Sequence, residues 1–450
     1  MKNIANYHLL TLAIGLFVSQ NAFAGIPIQQ WTLKNGAQVF LVESPAIPMV
    51  DVQIDFDAGA RRDPKAQAGL AGNAAALMSK GTLAVRPGEQ ALDENALSEA
   101  WADLGASFGA GAGADRMSFS LRSLTYPDLL AKAVALAARQ TAHPSFPQDV
   151  WQRDRERQAA AMREANTRPA TLAGRAFNQA VYGEHPYGYE ATEATLQSIS
   201  ASDMRRFYEA HVLPCRAKVS VVGALNRTQA EAMVTGLLAR LPQPAPGSAT
   251  CASLPAVAEV AALAAPSEQQ IAFNAAQAQV LIGQPGFKRN DPDFFALTVG
   301  NYVLGGGGFV SRLYSEVREK RGLSYSVYSY FSPGQHAGAF TIGLQTRPDQ
   351  AAQAVQVSRE VLAKFVADGP TEAELQAAKD NLVGGFALRI DSNRKLLDNV
   401  ASIAWNGLPL TYLDTWTAQV EKITLADIKA AFSRKLQPQR MATVVVGAAQ

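Results

Sequence analysis

A chain of 450 residues, 48% hydrophobic and 18% charged, has the balance of a soluble globular protein and exceeds what one ordinary core uses. Two or more domains are therefore expected, and disorder is excluded as the main state. A formal net charge of +2 argues against a nucleic-acid or membrane-surface binder.

In chain order, residues 1–24 come first. Lys2 precedes an apolar run from Leu9 to Val18, and Ala22-Phe23-Ala24 precedes Gly25. This is the pattern of a secretory signal peptide cleaved after Ala24. The run is too short to cross a hydrocarbon core, which takes about 20 residues, so no membrane span is expected after cleavage. Without this segment 40 basic residues face 39 acidic ones.

"LKNGAQVFLV" places Asn35-Gly36 at a hairpin turn before a strand. "VDVQIDF" alternates Val50, Val52, Ile54 and Phe56 with Asp51, Gln53 and Asp55, the pattern of a half-buried strand. "MSFSLRSL" alternates again, and helices are expected over Asp128 to Arg139 and Leu172 to Val181. Further strands are expected over Gln279 to Ile282 and Ala339 to Leu344. Strands that neighbour strands, mixed with helices, predict an α+β fold with helices packed on a mostly antiparallel sheet.

A gapless internal repeat organises the chain. Ile199 to Gly223 lies over Ile423 to Gly447 at a constant offset of 224 residues, with Asp203 over Asp427, Pro214 over Pro438 and Arg216 over Arg440. Each copy opens with Ser or Thr and Asp three residues on, a helix start, then runs through an amphipathic helix, a proline break and a β-branched strand. Two duplicated, similar domains follow. Between them, Leu241 to Gln270 is rich in Pro, Ala and Ser without a sustained period and reads as the linker. The expected organisation is a leader over 1–24, domains over 25–240 and 271–450, and the linker over 241–270. Cys215 and Cys251 are the only cysteines, and the residues leave open whether they form a disulfide or stay two buried thiols.

Several stretches in order resemble the pitrilysin/insulinase family of zinc peptidases, in its small two-domain bacterial branch. They are "LKNGAQVFLV", "GLAGNAAALMSKGT", "LGASFGAGAGADRMSFSL", "HPSFPQDVWQRDRER", "YGEHPYGY", "NYVLGGGGFVSRLYSEVREKRGLSYSVYS" and the two Val-Val-Gly ends. The resemblance covers nearly the whole chain after residue 24 and implies a molecule shaped as half of a clamshell, in a periplasmic setting.

That family's chemistry requires an inverted His-x-x-Glu-His helix, in which two histidines grip one zinc and the Glu activates its water. Laid on this chain by the flanking residues, the ligand positions are Gly72 and Ala76, the base position is Ala75, and the distant third ligand is Arg163. Gly and Ala offer zinc no lone pair, and Arg repels a dication. The resemblance thus implies a degenerate helix whose inward face carries Gly72, Ala75 and Ala76. No metal or other cofactor is expected on this chain, and no catalytic residue that acts alone. His143, His185, His211 and His336 show no metal-binding spacing and read as ordinary surface or turn residues.

The second half keeps what the family uses there. Arg318 and Tyr325 stand seven apart, as in the pair that holds substrate backbone and the transition-state oxygen beside a zinc. A guanidinium and a phenol can both donate to a carbonyl oxygen gaining charge. By residue pattern alone, Arg318 could equally be a solvated charge ending a helix and Tyr325 strand core. Gly305, Gly306, Gly307 and Gly308 lack the Gly-Lys-Ser/Thr ending of a phosphate loop and follow a segment that reads as helix. They fit a flexible hinge or a backbone surface against an extended peptide.

The expectation is an exported non-catalytic subunit that completes the site of a heterodimeric zinc metalloendopeptidase. Its partner would be a homologous chain bearing His-x-x-Glu-His and the zinc, and its substrate a peptide or unfolded protein. The alternative is an inactive scaffold or peptide-binding protein of the same family.

Overall fold

The computed structural model describes residues 25–243 and 251–447. The expected leader and residues 244–250 of the expected linker lie outside them. The strands are β1 (Gln29–Thr32), β2 (Gln38–Glu43), β3 (Met49–Phe56), a short ribbon of β4 (Gly81–Thr82) and β5 (Leu92–Asp93), β6 (Ser107–Ala112), β7 (Met117–Leu124), β8 (Lys218–Gly223), β9 (Ser267–Ile271), β10 (Ala278–Pro285), β11 (Val327–Phe331), β12 (Ala339–Thr346) and β13 (Ala442–Val446). The helices of the first half are α1 (Leu70–Leu77), α2 (Glu94–Asp103), α3 (Pro127–Ala142), α4 (Gln148–Ala165), α5 (Pro169–Tyr182), α6 (Glu193–Ser198), α7 (Ala201–His211) and α8 (Arg227–Leu238). Those of the second are α9 (Phe294–Asn301), α10 (Ala351–Asp368), α11 (Glu372–Gly384), α12 (Asn393–Asn406), α13 (Tyr412–Lys422) and α14 (Leu425–Lys435).

The strands form two large sheets, ordered β1-β2-β8-β3-β7-β6 and β9-β13-β10-β12-β11. Each has a single parallel pair, β2 with β8 and β9 with β13, and antiparallel neighbours otherwise. The second order repeats the first without β1. The hairpin joining β1 to β2 turns at Asn35-Gly36, where Gly36 takes φ +88°, as the Asn-Gly pair predicts. The expected linker is shorter than Leu241 to Gln270, because Ser267 to Gln270 already belong to β9.

The repeat read from 25 residues extends through the fold. At both ends, α1 and α9, α5 and α12, and α7 and α14 stand 224 residues apart. Ser200 and Thr424 each accept from the backbone N–H three residues on, while Asp203 and Asp427 accept from the cap's own N–H, so the two units start by the same capping box.

The halves exchange one helix each. From the first half, α5 lays Ala173, Phe177 and Val181 on Ala442, Val444 and Val446 of the second sheet. Its counterpart α12 lays Leu397, Val400 and Ile403 on Phe40, Val42 and Val222 of the first. Gly283 on β10 permits the close approach of α5: a Cβ there would stand 2.8 Å from Cζ of Phe177 and 2.0 Å from the Phe340 carbonyl oxygen.

This exchange corrects the reading of β3 as half-buried. Asp51, Gln53 and Asp55 are all buried, at 1%, 9% and 0% exposure, because α12 closes the face that would otherwise meet water. The two carboxylates are met locally. Asp51 accepts from Arg122 at 2.7 and 3.1 Å, and Asp55 accepts from Arg116 at 2.9 Å and from the Ser118 hydroxyl at 2.5 Å.

Residues from Cys251 onward run along the seam between the halves. Cys215 and Cys251 form a disulfide, Arg216 donates to the Ala252 carbonyl at 2.9 Å, and His185 meets the Ala258 carbonyl at 3.0 Å. Burial and the nearby His336 hold the His185 imidazole below its ordinary pKa. Neither His185 nor His336 is an ordinary surface residue: their rings pack 5.1 Å apart where the halves meet.

Candidate functional site

In the first half, the expected zinc helix is present as α1. It opens at Gly69, whose φ of +102° suits glycine, and the buried Asp63 carboxyl accepts from the N–H groups of Gly69 and Ala71, both at 2.9 Å. Burial pushes the Asp63 pKa up to about 6, against the pull of those N–H groups.

The three degenerate positions do not share one inward face. Gly72 and Ala76 are exposed, whereas Ala75 is 2% exposed and belongs to the core. Consecutive residues differ by about 100° around a helix, so Ala75 and Ala76 part company. Nothing lies within 4 Å of a Cβ built on Gly72. Arg163 lies on α4 but pairs with Glu193 of α6, and its side chain is 60% exposed. The α4 side chain that reaches α1 is Gln158, which donates to Asn73 at 2.7 Å, while Asn73 donates to the Gly69 carbonyl at 2.8 Å.

These residues do not fit zinc. The two facing positions carry no donor atom, the third carries a cation, and the nearest polar side chains satisfy each other as amides. Among the described residues, no three His, Cys, Asp or Glu side chains gather in a way that could hold a metal.

In the second half, α9 runs into a π-helical turn over Tyr302–Gly306 and a single 3₁₀ turn over Gly308–Val310. The four glycines are required here by packing and backbone shape, which replaces the expectation of a flexible hinge. A Cβ on Gly305 would stand 2.6 Å from the Ser329 backbone nitrogen, one on Gly306 2.7 Å from the Asn301 amide, and one on Gly307 2.7 Å from the Tyr302 oxygen. Gly308 has open space but takes φ +60°. Asn301 and Ser329 clamp the turn to β11: the Asn301 amide donates to the Ser329 carbonyl at 3.0 Å, and the Ser329 hydroxyl donates back at 2.8 Å.

A second π-helical turn, Tyr314–Glu319, carries Arg318. Its guanidinium carbon lies 4.5 Å from the Tyr325 ring centroid, 4.7 Å from that of Tyr314 and 5.8 Å from that of Phe309. The neighbouring acids are engaged elsewhere. Glu316 binds Lys320 and Arg321, and Glu374 takes Arg312 in a two-point pair at 2.6 and 2.7 Å. Among the described residues Arg318 has no carboxylate partner, so its charge is held by ring faces alone.

Tyr325 is 78% exposed, which excludes the strand-core reading. Gly305, Gly306, Gly308, Arg318 and Tyr325 line one groove of about 570 Å³. A cation and a phenol therefore converge on open space, where both can donate to an acceptor oxygen. Two features went unread in the sequence: the aromatic cradle of Tyr314 and Phe309, and Tyr328 and Tyr330, stacked 5.9 Å apart on the groove wall. The alternation in "VYSYF" was the available signal for the second.

Comparison with known proteins gives this arrangement its relatives. A family model described as insulinase (peptidase family M16) matches residues 38–195, and one described as peptidase M16 inactive domain matches residues 198–382. A crystal structure from Pseudomonas fluorescens, described as a peptidase M16 inactive domain, is 33% identical and has a TM-score of 0.86, covering 94% of this chain and 98% of that one. The chain belongs to the M16 peptidase family, in its inactive-type branch. A non-peptidase homolog from Helicobacter pylori is 27% identical over 431 residues, 93% of each chain. An uncharacterized zinc protease of Streptomyces coelicolor is 29% identical over 278 residues, and the matched region spans only 59% of that relative's length. Among the described residues no helix is long and apolar enough to cross a membrane.

Proposed function

We propose that this protein is an exported, site-completing subunit of a zinc metalloendopeptidase. It would present Arg318 and Tyr325 to a peptide whose scissile bond is held by a homologous partner bearing zinc and an intact His-x-x-Glu-His helix. The observation that carries this reading is Arg318: an unpaired guanidinium fixed against Tyr325 in an open groove, in a chain whose zinc positions are Gly72 and Ala76. A merely structural arginine is expected to have a carboxylate or carbonyl partner, and this one has neither among the described residues.

The chemistry assigned to this chain is limited. The glycine turn offers backbone to an extended peptide, Arg318 and Tyr325 donate hydrogen bonds to a peptide carbonyl, and this donation strengthens as negative charge develops on the oxygen. The metal and its activated water belong to the partner.

The test mixes the mature chain with the homologous zinc-bearing chain and compares wild type with Arg318→Ala and Tyr325→Phe. Peptide cleavage and complex formation by size exclusion are followed together. Removing one preorganised donor typically costs on the order of 100-fold to 1000-fold in turnover, and assembly is expected to be unchanged. Variants that cleave as fast as wild type would refute the shared site and favour the inactive scaffold.

A further inference from the structure

Beside the Arg318 groove lies a second cavity of about 590 Å³, where the β6–β7 turn of the first half meets the second half. Asn301 and Tyr330 line both cavities, so the two adjoin. Two guanidiniums, from Arg116 and Arg289, reach the second cavity, and its one acidic lining residue is Asp115. Asp115 is already occupied, pairing with Arg61 at 3.1 Å and accepting from the Tyr187 hydroxyl at 2.5 Å and the Gln335 backbone at 3.0 Å.

Arg289 has no carboxylate partner among the described residues. Its guanidinium carbon lies over Phe294, 3.9 Å from the ring centroid, and among the described residues its side chain makes one protein hydrogen bond, from Nη2 to the Tyr412 hydroxyl at 2.9 Å. A guanidinium is planar and holds its five N–H donors in its own plane. Nε and Nη1 of Arg289 thus have donors to spare. Arg116 spends Nη1 on buried Asp55 and lies over Trp405, 5.7 Å from the centroid. The cavity therefore holds an uncompensated positive charge between aromatic walls, with a planar donor edge.

We infer that Arg289, assisted by Arg116, binds a carboxylate of an extended peptide that passes from the Arg318 groove to this adjoining cavity, either its C-terminal carboxylate or an acidic side chain. A planar fork of N–H donors matches two carboxylate oxygens, and one uncompensated cation suits a single negative charge. The inference rests on the peptide groove proposed above and adds which peptides that groove prefers.

The experiment measures binding of fluorescent decapeptides to the full mature chain by polarisation. The three peptides are identical except for a free C-terminal carboxylate, a C-terminal amide, or an amide with one internal Glu in place of Gln. Each is titrated against wild type, Arg289→Gln, Arg289→Lys and Arg318→Gln, with folding checked by thermal melting. Expected is at least about 10-fold tighter binding of one carboxylate-bearing peptide over the neutral amide, as a charge-assisted pair supplies. Which of the two gains identifies the source of the carboxylate. R289Q should abolish that preference while leaving the neutral peptide's affinity unchanged, and R289K should keep part of it. Equal binding of all three peptides to wild type, or an equal loss for all three in R289Q, would overturn the inference. R318Q separates the two readings. If it weakens all three peptides alike and the preference is absent, the groove stands and the carboxylate site falls. If it changes nothing while the preference persists, the carboxylate site stands and the Arg318 groove falls. Absence of binding by every peptide refutes both.

Discussion

The two halves place the same helix in the same position and use it differently. In the first half α1 turns Gly72 and Ala76 to solvent, with space at Gly72 for a side chain that is not there. In the second half the matching positions of α9, Ala296 and Gly300, are buried, and a Cβ on Gly300 would stand 2.4 Å from the Phe432 ring. One copy keeps an open face without chemistry. The other seals that face into its core and carries its polar equipment further on, at the glycine turn and Arg318. Duplication fixes the layers; it leaves each copy free to lose or gain a site, because the site depends on a few exposed atoms and the layers on dozens of buried ones.

The exchange of α5 and α12 offers the hardest test of that comparison. If each sheet is closed by the other half's helix, damage to either helix should destabilise the molecule as a unit. Phe177→Ala is expected to cost about 3–5 kcal/mol and Leu397→Ala about 2–5 kcal/mol, as buried large-to-small changes do. Urea unfolding followed by both fluorescence and circular dichroism should then show one shifted transition. Two separated transitions, only one of them moved, would mean that the halves are independent.

Much of this fold was legible because its signals are local. The proline break, the capping pair and the Val-Val-Gly strand recur at a fixed offset, and the Asn35-Gly36 turn is written in two residues. The absent donors of the zinc helix were equally plain, since Gly72 and Ala76 have no chemistry to hide. The helix exchange was not legible: amphipathicity says that α12 has an apolar face and not which sheet receives it. The error over Asp51, Gln53 and Asp55 followed directly, because alternation marks which residues face each way and not whether both faces are covered. The direction of Arg163 was hidden for a similar reason, as the resemblance gave a position in sequence and Glu193 of α6 decides where the side chain turns.

The glycine turn permits a contrast within four residues. Gly305→Ala must displace the Ser329 backbone, at an expected cost of about 1–3 kcal/mol from overpacking, and should loosen the groove floor. Gly308→Ala meets no neighbour and bears only the left-handed backbone penalty, roughly 1–2 kcal/mol. Melting both variants tests whether the run is a packed turn: equal, small losses would restore the hinge reading.

Asp63 ties the emptied helix of the first half to pH. Its folded pKa of about 6 lies above the ordinary 3.8, so between those values the folded state holds a proton that the unfolded state has lost. Stability should therefore fall as pH rises from about 4 to 6 and level off above, a contribution on the order of 2 kcal/mol. Asp63→Asn, which keeps an acceptor for α1 and cannot ionise, should remove that slope. The measurement is the difference between wild type and variant in urea at pH 4 and pH 7. A difference that does not change with pH would show that the N–H groups of Gly69 and Ala71 fully offset burial.

The smallest effect tests the repeat most directly. In the first unit Asp203 N–H donates to the Ser200 hydroxyl at 3.1 Å and Ser200 N–H donates to the Asp203 carboxylate at 2.9 Å. In the second, Asp427 N–H donates to Thr424 at 3.2 Å and Thr424 N–H to Asp427 at 2.9 Å. Geometry this close predicts close energies, and Ser200→Ala and Thr424→Ala should each cost about 1 kcal/mol, the usual loss for a helix cap. The units sit in different halves and share no partner, so the double variant should lose the sum to within roughly 0.5 kcal/mol. Urea midpoints of the two single variants and the double decide this. Should one cap cost more than about twice the other, the duplicated units would be alike in shape and unequal in energy, and the asymmetry that separates α1 from α9 would extend into the scaffold itself.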